Sequence, residues 1–336
     1  MTTLTIHRAG PAMTVQDLGR EGYLSIGLPR GGAADRKAIC ESAALLGQSP
    51  DHAVIEMAGI GGVFSVSQPT RISLTGAPMR ATIGDRALVW NATHLLMPED
   101  RLTIGPALSG VYGYIGFGGG IATEPVMGSR STHLTCGIGA ALETGATLPL
   151  GSDRNTDRVG MILPTDNRFE GGTIRYINGP QTALFDEATR ARFTQTEFTR
   201  DSAANRQGVK LNGSGAGFAT ADQLNILSDA IQPGDIQMTG DGVPFVLLPE
   251  CQTVGGYPRI GTVIPQDIPK VAQAPAGAKI QFTCITREEA LSSYQSPAGL
   301  TRDLSALCKP LIRDPAQMAD LLSYQLISGM ITGWDA

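Results

Sequence analysis

Four short segments of this 336-residue chain join conformationally free glycines to side chains that can bind or polarise a small ligand: Thr14-Val-Gln-Asp-Leu-Gly-Arg20, Gly27-Leu-Pro-Arg-Gly-Gly-Ala-Ala-Asp35, Gly128-Ser-Arg-Ser-Thr132 and Gln252-Thr-Val-Gly-Gly-Tyr-Pro-Arg259. Glycine lets backbone N–H groups approach a ligand closely, and arginine supplies a fixed fork of donors for a carboxylate or a developing oxyanion. The same residues can also close their own turns, because a Thr-x-Gln-Asp run hydrogen-bonds locally. On the residues alone both readings stand.

Other chemical devices are missing. There is no Gly-x-x-x-x-Gly-Lys-Ser/Thr loop to cradle a nucleotide phosphate and no His-Glu-x-x-His pair for zinc. The four histidines (His7, His52, His94, His133) have no metal-ligand spacing and read as structural or surface groups. Gly116-Phe-Gly-Gly-Gly120 departs from the dinucleotide-binding fingerprint and reads as a tight β turn.

The elements that position the four segments are mainly strands. Glycine is 42 of 336 residues and charged residues are only 17%, against about 7% and about 25% in average domains. This balance favours turns and strands over long solvated helices. Short β-type runs at Arg71–Thr75, Ala87–Trp90, Arg101–Ile104 and Val111–Phe117 suit a barrel or sandwich. One helix interrupts them, capped by Asp35 and stopped at Gly47. Asp153 to Arg168 is polar and turn-rich and is the expected linker. In the second half a helix is expected at about residues 181–193, then strands Gly234–Met238 and Pro244–Leu248 around an Asp241-Gly242 turn, with 280–285 closing a barrel. Apolar residues at helical spacing from Asp314 to Ile331 predict an amphipathic terminal helix. The expected organisation is an N-terminal β domain over 1–165, a β-barrel domain over 166–290 and a helical extension over 291–336.

Charge narrows the partners. A net charge of −5 without a basic stripe argues against nucleic acid and against an anionic membrane surface. The longest apolar stretch, Val111 to Ile121, is broken by glycines and is too short to span a bilayer. Widely spread cysteines (Cys40, Cys136, Cys251, Cys284, Cys308) and an N-terminus without a secretion pattern lead us to expect a cytoplasmic protein with reduced thiols.

The order of the segments carries a resemblance. Thr14-Val-Gln-Asp-x-Gly-Arg20, Gly27-x-Pro29, Gly32-Ala33 and Asp35 are similar to the opening signature of the family of allophanate hydrolase subunit 2, KipA and the 5-oxoprolinase C subunit. Leu74-Thr-Gly-Ala77, Gly128-Ser-Arg-Ser-Thr132, Gly179-Pro-Gln181, Asn205-Arg206 and Gln252-Thr-x-Gly-Gly-Tyr-Pro258 follow in family order, covering about residues 5 to 290. Ala204-Asn-Arg-Gln-Gly208 and Glu250-Cys-Gln-Thr-Val-Gly-Gly-Tyr257 depart from the usual family wording.

The resemblance implies two cyclophilin-like β-barrel domains and a place in a multi-subunit enzyme beside a KipI-like B subunit. The leading expectation is a 5-oxoprolinase C subunit that opens 5-oxoproline to glutamate, with ATP bound by a companion such as a larger lactamase-type subunit and no cofactor on this chain. The alternatives are biotin-dependent carboxyl transfer to urea or a related amide, with carboxybiotin on a separate carrier, and a KipA-like antagonist of a kinase inhibitor. The implied site has Asp17, Arg20, Arg130 and Arg259 as catalytic groups. Thr14, Gln16, Asp35, Ser129, Asn205, Arg206, Gln252, Thr253 and Tyr257 would bind a small amide or lactam. Asp17, Arg20, Arg130, Gln252, Tyr257 and Arg259 are expected to converge on one cleft.

Overall fold

The computed structural model describes residues 2–218, 220 and 227–312. The expected amphipathic helix at Asp314–Ile331 lies outside them. In the first half two sheets enclose one core. Six strands lie side by side in the order Thr147–Pro149, Thr3–Arg8, Val63–Val66, Leu102–Ala107, Met79–Ile83, Arg86–Leu88. The facing sheet of seven runs Thr14–Gln16, Val54–Ala58, Tyr112–Phe117, Thr70–Gly76, Ala92–Leu96, Met161–Ile162, Lys309–Pro310. Leu4 and Ile6 pair with Val66 and Phe64 in one sheet, while Ile115 and Phe117 pair with Leu74 and Ile72 in the other. All eight are buried in the shared core. Alternation along each strand sets this register, since a slip of one residue would turn every one of them outward.

Helix α1 (Arg36–Leu46) lies on the outer face of the seven-stranded sheet. The Asp35 carboxylate accepts from the Ala38 N–H, and Gly47 ends the helix in the left-handed region at φ 66°. The approach is close: the Ser42 and Ser73 hydroxyls meet at 2.7 Å, and the Thr75 hydroxyl donates to the Ala38 carbonyl at 2.9 Å. Gly116 permits it, because a Cβ at that position would collide with both serines.

The second half is a closed seven-stranded barrel, ordered Gly171–Ile177, Arg259–Val263, Asp235–Met238, Pro244–Leu247, Gly208–Asn212, Glu197–Ala204, Lys279–Cys284. Its first and last strands pair in parallel and close the ring, with Ile174 opposite Phe282. The expected helix near 181–193 is split. A 3-10 turn at Thr182–Leu184 comes first, and α2 (Glu187–Gln195) begins only where Asp186 accepts from the Thr189 N–H at 2.7 Å. From α2, Phe193 plugs the barrel and stacks on Phe282 with ring centroids 4.9 Å apart. Among the described residues three more helices follow: α3 (Ile268–Gln273), α4 (Arg287–Ser293) and α5 (Pro297–Leu307). The last returns to the first half, where Leu304 packs against Ala44, Leu45 and Leu163.

The polar stretch 153–168 is fastened at both ends rather than free. Arg71 grips Asp153 through two hydrogen bonds of 2.7 and 2.6 Å. At the other end Arg168, 3% exposed, donates to Asp35 at 2.8 Å, to Glu41 at 2.8 and 2.6 Å and to Asp166 at 2.7 Å. Burial alone would lower its pKa, but the carboxylates of Asp35 and Glu41 outweigh this and hold it well above the ordinary arginine value. From α3, Gln273 donates to Asp35 at 2.9 Å and to the Tyr112 carbonyl at 2.8 Å, and its own carbonyl accepts from the Val111 and Tyr112 N–H groups. The two halves thus share a buried polar junction beside one continuous apolar cluster. Arg168→Met leaves Asp35 and Glu41 buried without a counter-charge, and we expect it to lower the unfolding free energy by about 3–5 kcal/mol in a urea titration.

Candidate active site in the cleft between the halves

Asp17 ties the first and third motif segments together. Its carboxylate accepts from the Gly19 N–H at 2.8 Å, the Ser129 hydroxyl at 2.6 Å, the Arg130 N–H at 2.6 Å and the Ser131 hydroxyl. Beside it the Gln16 amide donates to the Thr14 hydroxyl and to the Thr132 carbonyl, each at 3.0 Å. Thr14, Gln16, Asp17 and Ser129, expected at the substrate, are therefore buried fasteners of two loops. What they position is Arg20. Its Nη2 donates to the Ser131 carbonyl at 2.5 Å, whereas Nη1 has no partner in a side chain only 2% exposed. Burial lowers its pKa against the opposing pull of Asp17. Gly32, at φ 87°, lets the return of this loop pass against Gly19, where a Cβ would strike the backbone.

Arg206 fastens the opposite wall. It donates to Glu250 at 2.6 Å, to the Gly32 carbonyl at 2.6 Å and to Glu56, which also accepts from the Tyr114 hydroxyl at 2.7 Å and the Ala34 N–H at 2.8 Å. Asp35 and Arg206 were both expected to bind substrate. Each instead spends its hydrogen bonds inside the protein, because a buried charge needs full pairing. His133, fully buried with Nδ1 3.9 Å from Glu250, has its pKa lowered by burial, partly offset by that carboxylate.

Three cavities meet at Ile231. The first, about 340 Å³, lies between the 20–36 loop and the barrel and receives Arg20, Arg30 and Arg36. The second, about 590 Å³, is the barrel mouth, where Asn205, Gln237, Gln252 and Tyr257 gather with no charged side chain among the described residues. The third, about 330 Å³, holds Arg259. This arginine is already neutralised by Asp229 and by Asp235 at 3.1 Å, and it also donates to the side-chain Oε1 of Gln181 at 3.2 Å. Arg130 faces elsewhere: its Nε donates to the Thr123 carbonyl at 2.6 Å, and it lines a separate cavity with Ser129. The six residues expected in one cleft are thus distributed. Arg20 takes one chamber, Gln252 and Tyr257 the next and Arg259 the third; Asp17 is buried behind Arg20, and Arg130 lies outside. Asn205 reaches the mouth while its side-chain Oδ1 accepts from the turn N–H groups of Gln207 and Gly208, at 2.8 and 3.3 Å. The backbone carbonyl of Thr253 accepts from Ile231 at 3.0 Å, so it anchors the residue the chambers share.

Two cleft residues were given no site role by the sequence, although Ile236-Gln237 is among the segments in family order. Gln237, 8% exposed, holds an Nε2 without a partner at the barrel mouth. It lies between Ile236 and Met238 on a strand, and period-two alternation places such a residue in solvent. Arg36 opens α1, where it passes for a surface charge. Among the described residues no group of three or more His, Cys, Asp or Glu could hold a metal ion, and no helix is long and apolar enough to cross a membrane.

A two-sheet half joined to a closed barrel, with a ligand-sized cleft between them, is the architecture of a carboxyltransferase domain. The match to the family described as carboxyltransferase domain, subdomain A and B, covers residues 26–284, and the chain belongs to that family. The C subunit of the 5-oxoprolinase of Escherichia coli (strain K12) is 35% identical over 87% of this chain and 94% of its own length. The urea amidolyase of Saccharomyces cerevisiae is 25% identical over 88% of this chain but only 17% of its own length. The crystal structure of the K. lactis urea amidolyase superposes with a TM-score of 0.82 at 22% identity, covering 93% of this chain and 21% of that one.

Fasteners and free donors should separate by stability. Asp17→Ala strands several buried donors at about 1–3 kcal/mol each, so we expect a large fall in melting temperature. Gln237→Leu removes an amide that has no partner and should melt at or above the wild-type temperature.

Proposed function

We propose that this chain is the C subunit of a cytoplasmic 5-oxoprolinase, which opens the lactam of 5-oxoproline to glutamate in an ATP-dependent reaction. The observation that carries this reading is the 35% identity to a 5-oxoprolinase C subunit over 94% of that protein's length. The sequence has no P-loop, so ATP is assigned to a companion protein. The proposed enzyme is completed by a KipI-like B subunit and a larger lactamase-type subunit.

Cleaving a lactam breaks the ring C–N bond as water adds to the carbonyl carbon, and charge builds on the carbonyl oxygen. A neutral donor fixed in advance and shielded from water stabilises that charge. The unpartnered Nε2 of Gln237, in an uncharged chamber, suits this role. Arg259 suits it less, since two carboxylates already take its charge.

Co-expression with the partner subunits, followed by an assay of ATP-dependent glutamate formation from 5-oxoproline, tests the reading. We expect turnover by the complex and none by the chain alone, and Gln237→Leu should lower kcat by about 10²-fold. The uncharged mouth also suits a neutral ureido group, which favours biotin-dependent carboxyl transfer as the second reading. A complex that carboxylates urea and leaves 5-oxoproline intact would replace the first by the second.

A further inference from the structure

The chamber that receives Arg20, Arg30 and Arg36 carries more positive charge than the protein neutralises. Arg30 is satisfied: it pairs with Glu21 at 2.5 Å and donates to the Leu18 carbonyl at 3.0 Å. Arg20 keeps one buried N–H face free, and Arg36 makes no side-chain hydrogen bond or ion pair among the described residues, its Nε buried without a partner. Burial, reinforced by the like charge of Arg30, pushes the pKa of Arg36 down to about 10. Among the described residues three guanidiniums therefore face a single carboxylate, Glu21, on the walls of one chamber. Arg20 is withdrawn from water with one donor unpaired, and half-buried Arg36 keeps its Nε from water; a bound anion supplies the acceptors they lack.

The remaining walls define the anion. Leu24, Ile231, Ile268 and several prolines line the chamber, so the ligand has a hydrocarbon face to set against them. An inorganic phosphate has none. A carboxylate is planar and accepts two parallel hydrogen bonds from a guanidinium fork.

We propose that this chamber is a carboxylate subsite for a small acid with a compact hydrocarbon body, held by Arg20 and Arg36. The site rests on the arginines; only the identity of its acid, 5-oxoproline, rests on the lactam reading above. Across Ile231 the neutral barrel mouth recognises amide groups, so the cleft discriminates acid from amide by chamber.

Titration calorimetry on the full chain tests this with four probes: 5-oxoproline, cyclopentanecarboxylate, which lacks the lactam, 2-pyrrolidinone, which lacks the carboxylate, and inorganic phosphate. Both acids should bind at least about tenfold more tightly than 2-pyrrolidinone, the scale of a hydrogen bond to a charged group. Arg36→Gln should weaken both acids by about tenfold or more while Arg36→Lys restores part of the loss. Arg36 makes no internal bond, so these variants should keep the wild-type melting temperature. Because Arg20 also holds the Ser131 carbonyl, Arg20→Lys serves as the second variant and should weaken acid binding too. Acids that bind no better than 2-pyrrolidinone, unchanged binding in Arg36→Gln, or tighter binding of phosphate than of either acid would each overturn the proposal. Arg36-dependent binding of cyclopentanecarboxylate without binding of 5-oxoproline would uphold the subsite and sink the lactam reading.

Discussion

A guanidinium withdrawn from water is tolerated only where carboxylates and carbonyls take over its solvation, and two such groups decide how the halves of this chain meet. Arg168 gathers Asp35, Glu41 and Asp166, and Asp35 is also held by Gln273 from the barrel side. Arg206, from the barrel, gathers Glu56 and the Gly32 carbonyl of the first half together with Glu250. The loop carrying Arg20 and Arg36 runs between these anchors. Its rigidity is borrowed from them.

Against that background the unpaired groups of the cleft gain meaning. A buried donor without an acceptor costs about 1–3 kcal/mol, and the fold satisfies Asp17, Asp35 and Arg206 several times over. It leaves Gln237 Nε2 free beside Ile231 and Arg20 Nη1 free beside Gly31. Donors fixed before a ligand arrives need no reorganisation when charge develops on it. The local instability and the capacity to polarise a ligand have the same origin.

Much of the scaffold was legible in the residues. Asp35 and Gly47 bounded α1, and the strands at Arg71–Thr75, Val111–Phe117 and Pro244–Leu248 fall on observed strands with small shifts at their ends. The ordered motifs carried the family. Side-chain roles were harder to read, because what a charge does depends on a partner far along the chain. Arg168 lies 133 residues from Asp35, and Ser129 lies 112 from Asp17. Glycine-rich loops with acids and arginines look the same in sequence whether they clasp a ligand or each other. Here Asp17 and Ser129 clasp each other, while Arg20 keeps a hand free. Gln237 was hidden by the opposite effect: alternation assigns it to solvent, yet it is buried, with the bare Gly255 leaving room beside its Nε2.

The short strand at Met161–Ile162, which joins the first half's sheet, is itself completed by Lys309–Pro310, and α5 covers α1 from the same return of the chain. The barrel likewise closes only when Lys279–Cys284 reaches Gly171–Ile177. During synthesis, which proceeds from the N-terminus, the barrel cannot close until Lys279–Cys284 has left the ribosome, and the first half's sheet cannot finish until Lys309–Pro310 has. Contacts of such long sequence separation are slow to form, and the unpaired sheet edge stays open to other chains meanwhile. Lys309–Pro310 therefore acts as a completion signal for the first half's sheet.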